Sequence, residues 1–388
     1  MADSLRVLLV TGEYPPLEGG VGDFTHLLGQ EMARQGAEVG VLTSSTAGVE
    51  RNEDGVRCFP WVHRWQLVPL LQAVRRAIKR FKPDILNIQY QTAAYQLKPA
   101  INLLPWLLPT HAFAVTFHDL RVPYLFPKAG RLRWWVNLQL ARSCRVAIVT
   151  NNEDQIQLAA YLQVKRTELI PIGSNIIPSV SADQVAKLRQ RWQLGSDKLV
   201  LCYFGFLNES KGAEELIAAL DSVRNSGYNA VLLMIGGEVG ASDPTNAAYL
   251  RHIKLESERR GLTPHVIWTG FLPQEEVSAA FACAHICVLP YRDGVSFRRG
   301  SLMAALSHGL PIISTVPKLP LPELLPGVNI MLVPVSDHAS LARAIIKVAQ
   351  DSTLRACLAE GAASLASKFT WTTIATRTLE VLHAAVGC

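Results

Sequence analysis

The stretch Leu5–Gly22, LRVLLVTGEYPPLEGGVG, decides how the rest of the 388-residue chain is read. Apart from Arg6, Leu5 to Val10 is all Leu and Val, the signature of a buried strand. A proline-containing loop with four glycines follows, and His26 to Arg34 then shows helical spacing with Gly36 as its stop. Glycine there permits positive φ and close backbone approach, and the start of the next helix offers free N–H groups to an anion. The spacing is not the dinucleotide fingerprint G-x-G-x-x-G, and no G-x-x-x-x-G-K-[ST] occurs anywhere.

Working outward, Val39–Thr43, Asp84–Gln89, Phe113–Phe117 and Val146–Thr150 read as further strands, and Leu67–Phe81 as a basic amphipathic helix. The pattern restarts after the Pro/Gly-punctuated segment Leu169–Gly173, which puts a domain boundary near residue 175. Beyond it, Leu199–Phe204, Val231–Ile235, Val266–Thr269, Ile286–Leu289 and Pro311–Ser314 read as strands. Ala213–Ser226, Tyr249–Gly261, Gln274–Ala282 and Ser301–His308 read as the helices between them, and Leu341–Val386 is helical by pattern. Two rounds of β-α-β predict two Rossmann-like, doubly wound α/β domains with ligands beyond the carboxyl ends of the strands.

Composition agrees: 49% hydrophobic against 18% charged residues excludes a disordered chain, and the length suits two domains. Seven cysteines without a paired short spacing point to a reducing compartment rather than to a disulfide framework or zinc knuckle. Cys283 and Cys287 have the i, i+4 spacing of metal partners, and equally that of small buried hydrophobes. The N-terminus lacks the basic start and cleavage site of a signal peptide. The apolar stretch Ile101–Phe117 is cut by Pro105, Pro109, Thr110 and His111, so no membrane span is expected.

Charge is unevenly spread. Between Arg57 and Arg145 stand fourteen Lys and Arg against only Asp84 and Asp119. Trp61, Trp65, Trp106, Tyr124, Phe126, Trp134 and Trp135 lie in the same region, and Arg131, Arg133, Trp134 and Trp135 mix cations with amphipathic rings. Two readings compete: an anionic membrane surface or phosphorylated acceptor, and a solvated basic face over core aromatics. No helix-turn-helix, ribonucleoprotein or zinc-finger pattern is present, so nucleic acid is not an expected partner.

Three segments carry chemistry. Phe204–Gly212, FGFLNESKG, follows the first strand of the second half, where Lys211 can hold a phosphate as a point charge at a helix start. Tyr291–Leu302, YRDGVSFRRGSL, leads into a helix; Arg298, Arg299, Gly300 and Ser301 combine guanidinium forks, a hydroxyl and free N–H groups into an anion site. Phe117-His118-Asp119 ends a first-half strand, where His118 is placed to act as general acid/base or to bond a substrate hydroxyl, or else to be structural. Neither D-x-D nor H-E-x-x-H occurs, which argues against a metal-dependent sugar transferase or a zinc hydrolase.

Together these residues resemble family 4 of the retaining glycosyltransferases, also known as glycosyl transferases group 1. The resemblance runs over nearly the whole chain. It is carried by Tyr14-Pro15-Pro16 with Gly19-Gly20, His118-Asp119, Ile170-Pro171-Ile172-Gly173, and Gly205 with Lys211-Gly212. It continues through Gly236-Gly237, Gly270-Phe271-Leu272-Pro273, Gly309-Leu310-Pro311 and Phe369-Thr370-Trp371. It implies the GT-B architecture: two facing Rossmann-like domains with a cleft between them, residues 1–175 for the acceptor and 176–365 for the nucleotide sugar, with 366–388 a final helix packing back on the first domain.

The resemblance also implies the chemistry. Expected is a retaining, hexosyltransferase-like enzyme that moves a sugar from a nucleotide-diphosphate donor to a lipid-linked or glycan acceptor. No cofactor and no metal is expected, because cations and helix starts stabilise the leaving diphosphate. On the donor side it matches Lys211 to the lysine on the phosphates and Gly19, Gly20 and Gly22 to the loop approaching the diphosphate; the residues themselves add Gly205, Asn208, Asp293, Ser296, Arg298, Arg299, Gly300, Ser301 and Leu302 as donor-side candidates. Tyr14 and Asp119 fall on the acceptor side, and His118, Lys211 and Arg298 are the catalytic candidates. The expected setting is cytoplasmic, peripheral at the inner membrane face through residues 57–145.

The chain departs from the family at three positions. Phe206 stands where an arginine is usual, and Ser296 and Ala304 stand where two glutamates normally precede the Gly-x-Pro turn. Arg298 and Arg299 are the candidates to restore the diphosphate charge lost at 206. The missing carboxylates also leave room for a degenerate relative that binds nucleotide or glycan without turnover, or for another nucleotide-sugar enzyme of the same shape.

Overall fold

The computed structural model describes residues 4–17, 19–120, 130–161, 164, 166–236 and 244–387, with backbone only at 130–133, 244 and 245. The chain forms two compact units, one of Met1–Asn175 with Thr370–Cys388 and one of Ile176–Phe369.

In the first unit the strands are β1 (Arg6–Val10), β2 (Glu38–Ser44), β3 (Arg51–Glu53), β4 (Val56–Val62), β5 (Ile85–Tyr90), β6 (Ala112–Phe117), β7 (Val146–Val149) and β8 (Thr167–Leu169). They form one sheet in the order β3-β4-β2-β1-β5-β6-β7-β8, parallel except for the β3–β4 pair. The helices are α1 (Gly20–Arg34), α2 (Leu67–Phe81), α3 (Leu104–Leu107), α4 (Gly130–Ser143) and α5 (Asn152–Ala159). Both faces of β1 are buried, which is why its sequence is continuously apolar instead of alternating. Leu8 and Val10 pack with Leu70, Val74, Ala77 and Phe81 of α2, the i, i+4, i+7, i+11 stripe that the amphipathic reading expects. A left-handed Lys82, φ 52°, stops α2.

Val7 and Leu9 face the other way, onto Phe24, Leu28 and Met32 of α1. The same layer contains Ile374, Ala375, Val381 and Leu382 from the last helix of the chain. That helix bonds α1 edge to edge: Gln35 Nε2 donates to the Thr372 carbonyl at 3.0 Å, and Thr372 Oγ1 to Glu31 at 2.9 Å.

The second unit holds α6 (Ala182–Arg191), β9 (Leu199–Phe204), α7 (Ala213–Asn225), β10 (Ala230–Ile235), α8 (Pro244–Arg259), β11 (Val266–Trp268) and α9 (Gln274–Cys283). It continues with β12 (Ile286–Leu289), α10 (Gly300–Ser307), β13 (Ile312–Thr315), β14 (Met331–Val333), α11 (His338–Gln350) and α12 (Ser352–Ala366). Its six strands run parallel in the order β11-β10-β9-β12-β13-β14. The final helix α13 (Trp371–Val386) belongs to the first unit. The helical tail expected from Leu341 is thus three helices, with Asp337 and Asp351 capping α11 and α12 through backbone N–H groups three residues on.

Each sheet reverses its strand order beside its first strand: β1 lies between β2 and β5, and β9 between β10 and β12. Loops leaving the carboxyl ends of β1 and β5, and of β9 and β12, diverge there and leave a crevice for ligand. Four strands were not expected from sequence. β4 contains Pro60, which weakens a strand reading, and the structure accommodates it by slipping the β2–β4 register between Leu42 and Ser44. β3, β8 and β14 have only three residues each. α1 begins at Gly20, six residues before His26, because Val21, Phe24 and Thr25 bury against the sheet and outweigh poor glycine propensity.

Candidate functional site

The loops after β9 and β12 bring the second-unit candidates together. Gly205 ends β9 at φ 120°, where a Cβ would stand 3.3 Å from Lys211 Nζ and 3.8 Å from Ser301 Cβ. Only glycine leaves Lys211 its place, so this residue is read as part of the lysine's pocket. Burial, with the nearby Arg299, lowers the Lys211 pKa to about 8, against an opposing pull from Asp293. Asn208 shapes the same turn: its carbonyl accepts from the Lys211 N–H at 3.0 Å and its Oδ1 from Ser210 Oγ at 2.8 Å.

Asp293 sits between the two arginines. Arg298 pairs with it at 3.4 Å and Arg299 pairs with its other oxygen. The Arg299 guanidinium also lies 4.7 Å from the centre of the Tyr291 ring, and its Nε is buried without a partner among the described residues. Tyr291 is fully buried, with its hydroxyl 2.6 Å from Ser301 Oγ, which fixes the first turn of α10 on the loop. Lys211, Arg298 and Arg299 thus gather around Asp293 at this crevice. The first-turn amides of Gly300 and Ser301 point the positive end of α10 the same way.

Several expected contributors are placed differently. Leu302 is fully buried and its N–H already bonds the Arg299 carbonyl at 3.0 Å. Ser296 has a buried Oγ with no partner, and Ala304 is fully enclosed in α10. Phe206 is half-exposed beside Gly205. Arg292 turns away from the cluster and holds Glu215 at 2.9 Å, Glu209 at 3.4 Å and Glu214, fastening this loop to the start of α7. Gly237 lies outside the described residues. Cys283 and Cys287 are buried; among the described residues no group of three His, Cys, Asp or Glu could hold a metal ion.

In the first unit, the loop after β1 folds tightly on itself. A Cβ on Gly19 would fall 2.0 Å from the Glu13 carboxylate, and one on Gly22 would fall 3.1 Å from the Glu13 backbone, whereas Gly20 is open. Burial, helped by Asp23, raises the Glu13 pKa. Tyr14 is buried and its hydroxyl meets His26 Nδ1 at 3.1 Å, while Arg51 lies over its ring and donates to the Pro15 carbonyl.

His118, at the end of β6, is held from three sides. Its backbone N–H bonds the Tyr90 carbonyl at 3.0 Å, Phe24 packs edge-on on the ring at 4.7 Å, and Nε2 meets Gln89 Oε1 at 3.0 Å. Burial lowers its pKa to about 4, so the ring is neutral at neutral pH and has no proton charge to give as a general acid. Asp119 follows it and is half-buried. Gln89 escaped the sequence reading; a glutamine, like Asn87, inside the otherwise apolar run of β5 was the available signal.

The basic, Trp-rich region divides. Trp65 is buried, Trp61 lies under the Arg76 guanidinium at 4.0 Å, and Trp134 donates to the Tyr161 hydroxyl at 2.8 Å. Trp106 and Trp135 are exposed by 72% and 55%. Tyr124, Phe126 and the side chains of Arg131 and Arg133 lie outside the described residues. No described helix is long and apolar enough to cross a membrane.

Residues 198–351 match the family described as glycosyl transferases group 1, and residues 19–173 match the glycosyl transferase 4-like domain. A GDP-mannose-dependent alpha-(1-6)-phosphatidylinositol monomannoside mannosyltransferase of Mycobacterium tuberculosis is 24% identical over 80% of each chain. Among solved structures, sucrose-phosphate synthase from Thermosynechococcus elongatus superposes with a TM-score of 0.76 at 20% identity, covering 98% of each chain. The Anabaena protein HepE in complex with UDP and glucose gives 0.75 at 19%, covering 98% of this chain and 100% of that one. These neighbours show the fold, GT-B, and the two family matches follow one another along the chain across both sheets. The chain belongs to the group 1 glycosyl transferases of family 4 and is a glycosyltransferase.

Proposed function

We propose that this glycosyltransferase is retaining and metal-independent, and takes its sugar from a nucleotide-diphosphate donor held by the second unit. The observation that carries the reading is the gathering of Lys211, Arg298 and Arg299 around Asp293 at the start of α10, where three cationic side chains converge on one helix N-terminus. A diphosphate leaving group gains negative charge as the glycosidic bond breaks, and fixed cations and amides aimed at it lower that barrier without reorganising. Arg298 and Arg299 replace the charge that Phe206 does not supply, with Asp293 aligning their forks. On this reading Gly205, Asn208, Gly300 and Ser301 line the donor, Ser296 reaches it only through its backbone, and Leu302 acts only through the core.

Attack on the same face as the departing phosphate retains the anomeric configuration; the phosphate oxygen takes the acceptor's proton, so no side chain needs to be the base. His118 is then a neutral hydrogen-bonding group for a sugar hydroxyl. The acceptor is lipid-linked or a glycan, and Asp119 is a candidate to bind it. Tyr14 is a further candidate for the acceptor, and the glycines at 19, 20 and 22 belong to the loop that approaches the donor diphosphate from the acceptor side.

A membrane-facing acceptor fits the exposed side of α2, where Arg75, Arg76, Lys79 and Arg80 stand with no acidic residue on the helix. α2 packs against the turn preceding α3, which carries exposed Trp106. The mannosyltransferase relative, whose name gives a phosphatidylinositol acceptor, supports the same direction, and we place the protein at the cytoplasmic membrane face.

Thermal stabilisation by a panel of nucleoside diphosphates and their sugars tests the donor reading. Ligand at about 100 times its dissociation constant adds roughly 2.7 kcal/mol. A selective shift lost in Lys211→Ala is expected; no shift with any donor overturns it. Sedimentation with anionic liposomes tests the surface, and equal pelleting at low and high salt would count against electrostatic docking.

A further inference from the structure

We propose that Gln89 is a positioning residue that fixes the tautomer of His118 and so limits its ligand to a hydrogen-bond donor. The part concerning the ligand rests on the glycosyl-transfer reading above; the part concerning the tautomer does not. A neutral imidazole carries one N–H and one bare nitrogen. His118 Nε2 faces Gln89 Oε1 at 3.0 Å, and an amide oxygen can only accept, so Nε2 carries the hydrogen. Nδ1 makes no hydrogen bond among the described residues and is the bare nitrogen left to accept one.

The ring cannot turn to exchange these roles. On the ring itself act the Phe24 ring, packed edge-on at 4.7 Å, and the Gln89 bond, while the backbone that carries it is held by its N–H on the Tyr90 carbonyl and by Thr150 Oγ1 on its carbonyl at 3.5 Å. Gln89 is fully buried in the central strand β5, and its backbone carbonyl accepts from the Tyr95 hydroxyl at 2.8 Å. Its side-chain NH2 is buried with no partner among the described residues. An unpartnered buried amide is costly, and a leucine or methionine of similar size would pack here without that penalty. The amide oxygen's hold on His118 is what the glutamine supplies in return.

The groups recorded against the ring, Phe24 of α1 and Gln89 of β5, are uncharged, and Asp119 is its chain neighbour. A neutral ring with a bare Nδ1 accepts from a hydroxyl or an amide. It repels a phosphate or carboxylate oxygen, because two acceptors would face each other. His118 therefore recognises a sugar hydroxyl and does not add to the anion site.

Long-range proton–nitrogen NMR on protein labelled at histidine nitrogen reads the tautomer directly, with His118→Gln assigning the signal. The expected spectrum shows protonated Nε2 and bare Nδ1, unchanged from about pH 8 down to about pH 5.5. Gln89→Glu places a carboxylate on Nε2 and is expected to raise the His118 midpoint by at least one unit. Gln89→Leu is expected to give mixed tautomers and about a tenfold loss of kcat, with nucleoside diphosphate affinity unchanged. Thermal melts confirm that both variants fold. A protonated Nδ1 in the wild type, or an identical His118 signal in both Gln89 variants, overturns the assignment. If the tautomer is as expected but no nucleotide sugar is ever turned over, the positioning stands and the glycosyl-transfer reading falls.

Discussion

Lys211 makes the donor reading measurable through pH. Its pKa is lowered to about 8, first by burial and then by Arg299, with Asp293 pulling the other way. In the free protein the ammonium is therefore about nine-tenths charged near pH 7 and about one-tenth charged near pH 9, and apparent affinity scales with the competent fraction. The phosphates are already ionised in this range, since their second pKa is about 6, so the change belongs to the protein. If the charged lysine is the form that binds, the dissociation constant of a nucleoside diphosphate rises about tenfold between about pH 7 and pH 9. Titration calorimetry at several pH values measures it. Lys211→Arg keeps its charge throughout and should abolish the slope, while Lys211→Ala should bind weakly at every pH. A wild-type dissociation constant that is flat across that range, in protein shown to be folded, would refute the placement of the phosphate on Lys211.

Gly205→Ala forces a side chain into φ 120° and against Lys211 Nζ. It should cost roughly 1–3 kcal/mol and weaken diphosphate binding, and unchanged melting and affinity would contradict the close approach. Arg292→Ala leaves Glu209, Glu214 and Glu215 facing one another without their shared cation. A loss of about 2 kcal/mol is expected in the urea midpoint, partly recovered when Glu214→Gln is added; full additivity would mean that the carboxylates do not interact. His118 has a folded pKa of about 4 against 6.5 for the free side chain, so the unfolded chain takes up its proton first as pH falls. Stability should drop between about pH 6.5 and pH 4 by up to roughly 3 kcal/mol more in the wild type than in His118→Gln, and equal slopes would show an exposed ring.

Much of this was legible in the chain because doubly wound sheets bury both faces of their strands. Leu199–Phe204 and Ile286–Leu289 coincide with β9 and β12 to the residue, since an uninterrupted apolar run has little alternative in such a fold. α2 was equally clear, as its stripe and its Lys82 stop are both local features. Where long-range packing overrode local preference, the reading faltered: the glycine-rich start of α1 is helical because the sheet covers it, and Pro60 is tolerated by a register slip. The site followed the same rule. Arginines and a lysine at helix starts are visible in sequence, but their common partner Asp293, the Tyr291–Ser301 bond and the turning away of Arg292 depend on loops meeting in space. Gln89 is the sharpest case, since its purpose appears only when the ring 29 residues later lies beside it.

The return of α13 to the first unit has a consequence for how the protein is made. Ribosomes release the chain in order, so the sheet layer carrying Val7, Leu9, Phe24 and Leu28 emerges long before Ile374, Val381 and Leu382 arrive to cover it. At roughly 5–20 residues per second, the interval between residue 175 and residue 386 lasts on the order of 10 to 40 s. By the time α13 emerges the second unit has all of its own strands and has been free to fold, while the first has kept an apolar face open. The order of completion in the cell is thus the reverse of the order of synthesis, and nascent chains stalled inside the second unit are the ones a chaperone should hold.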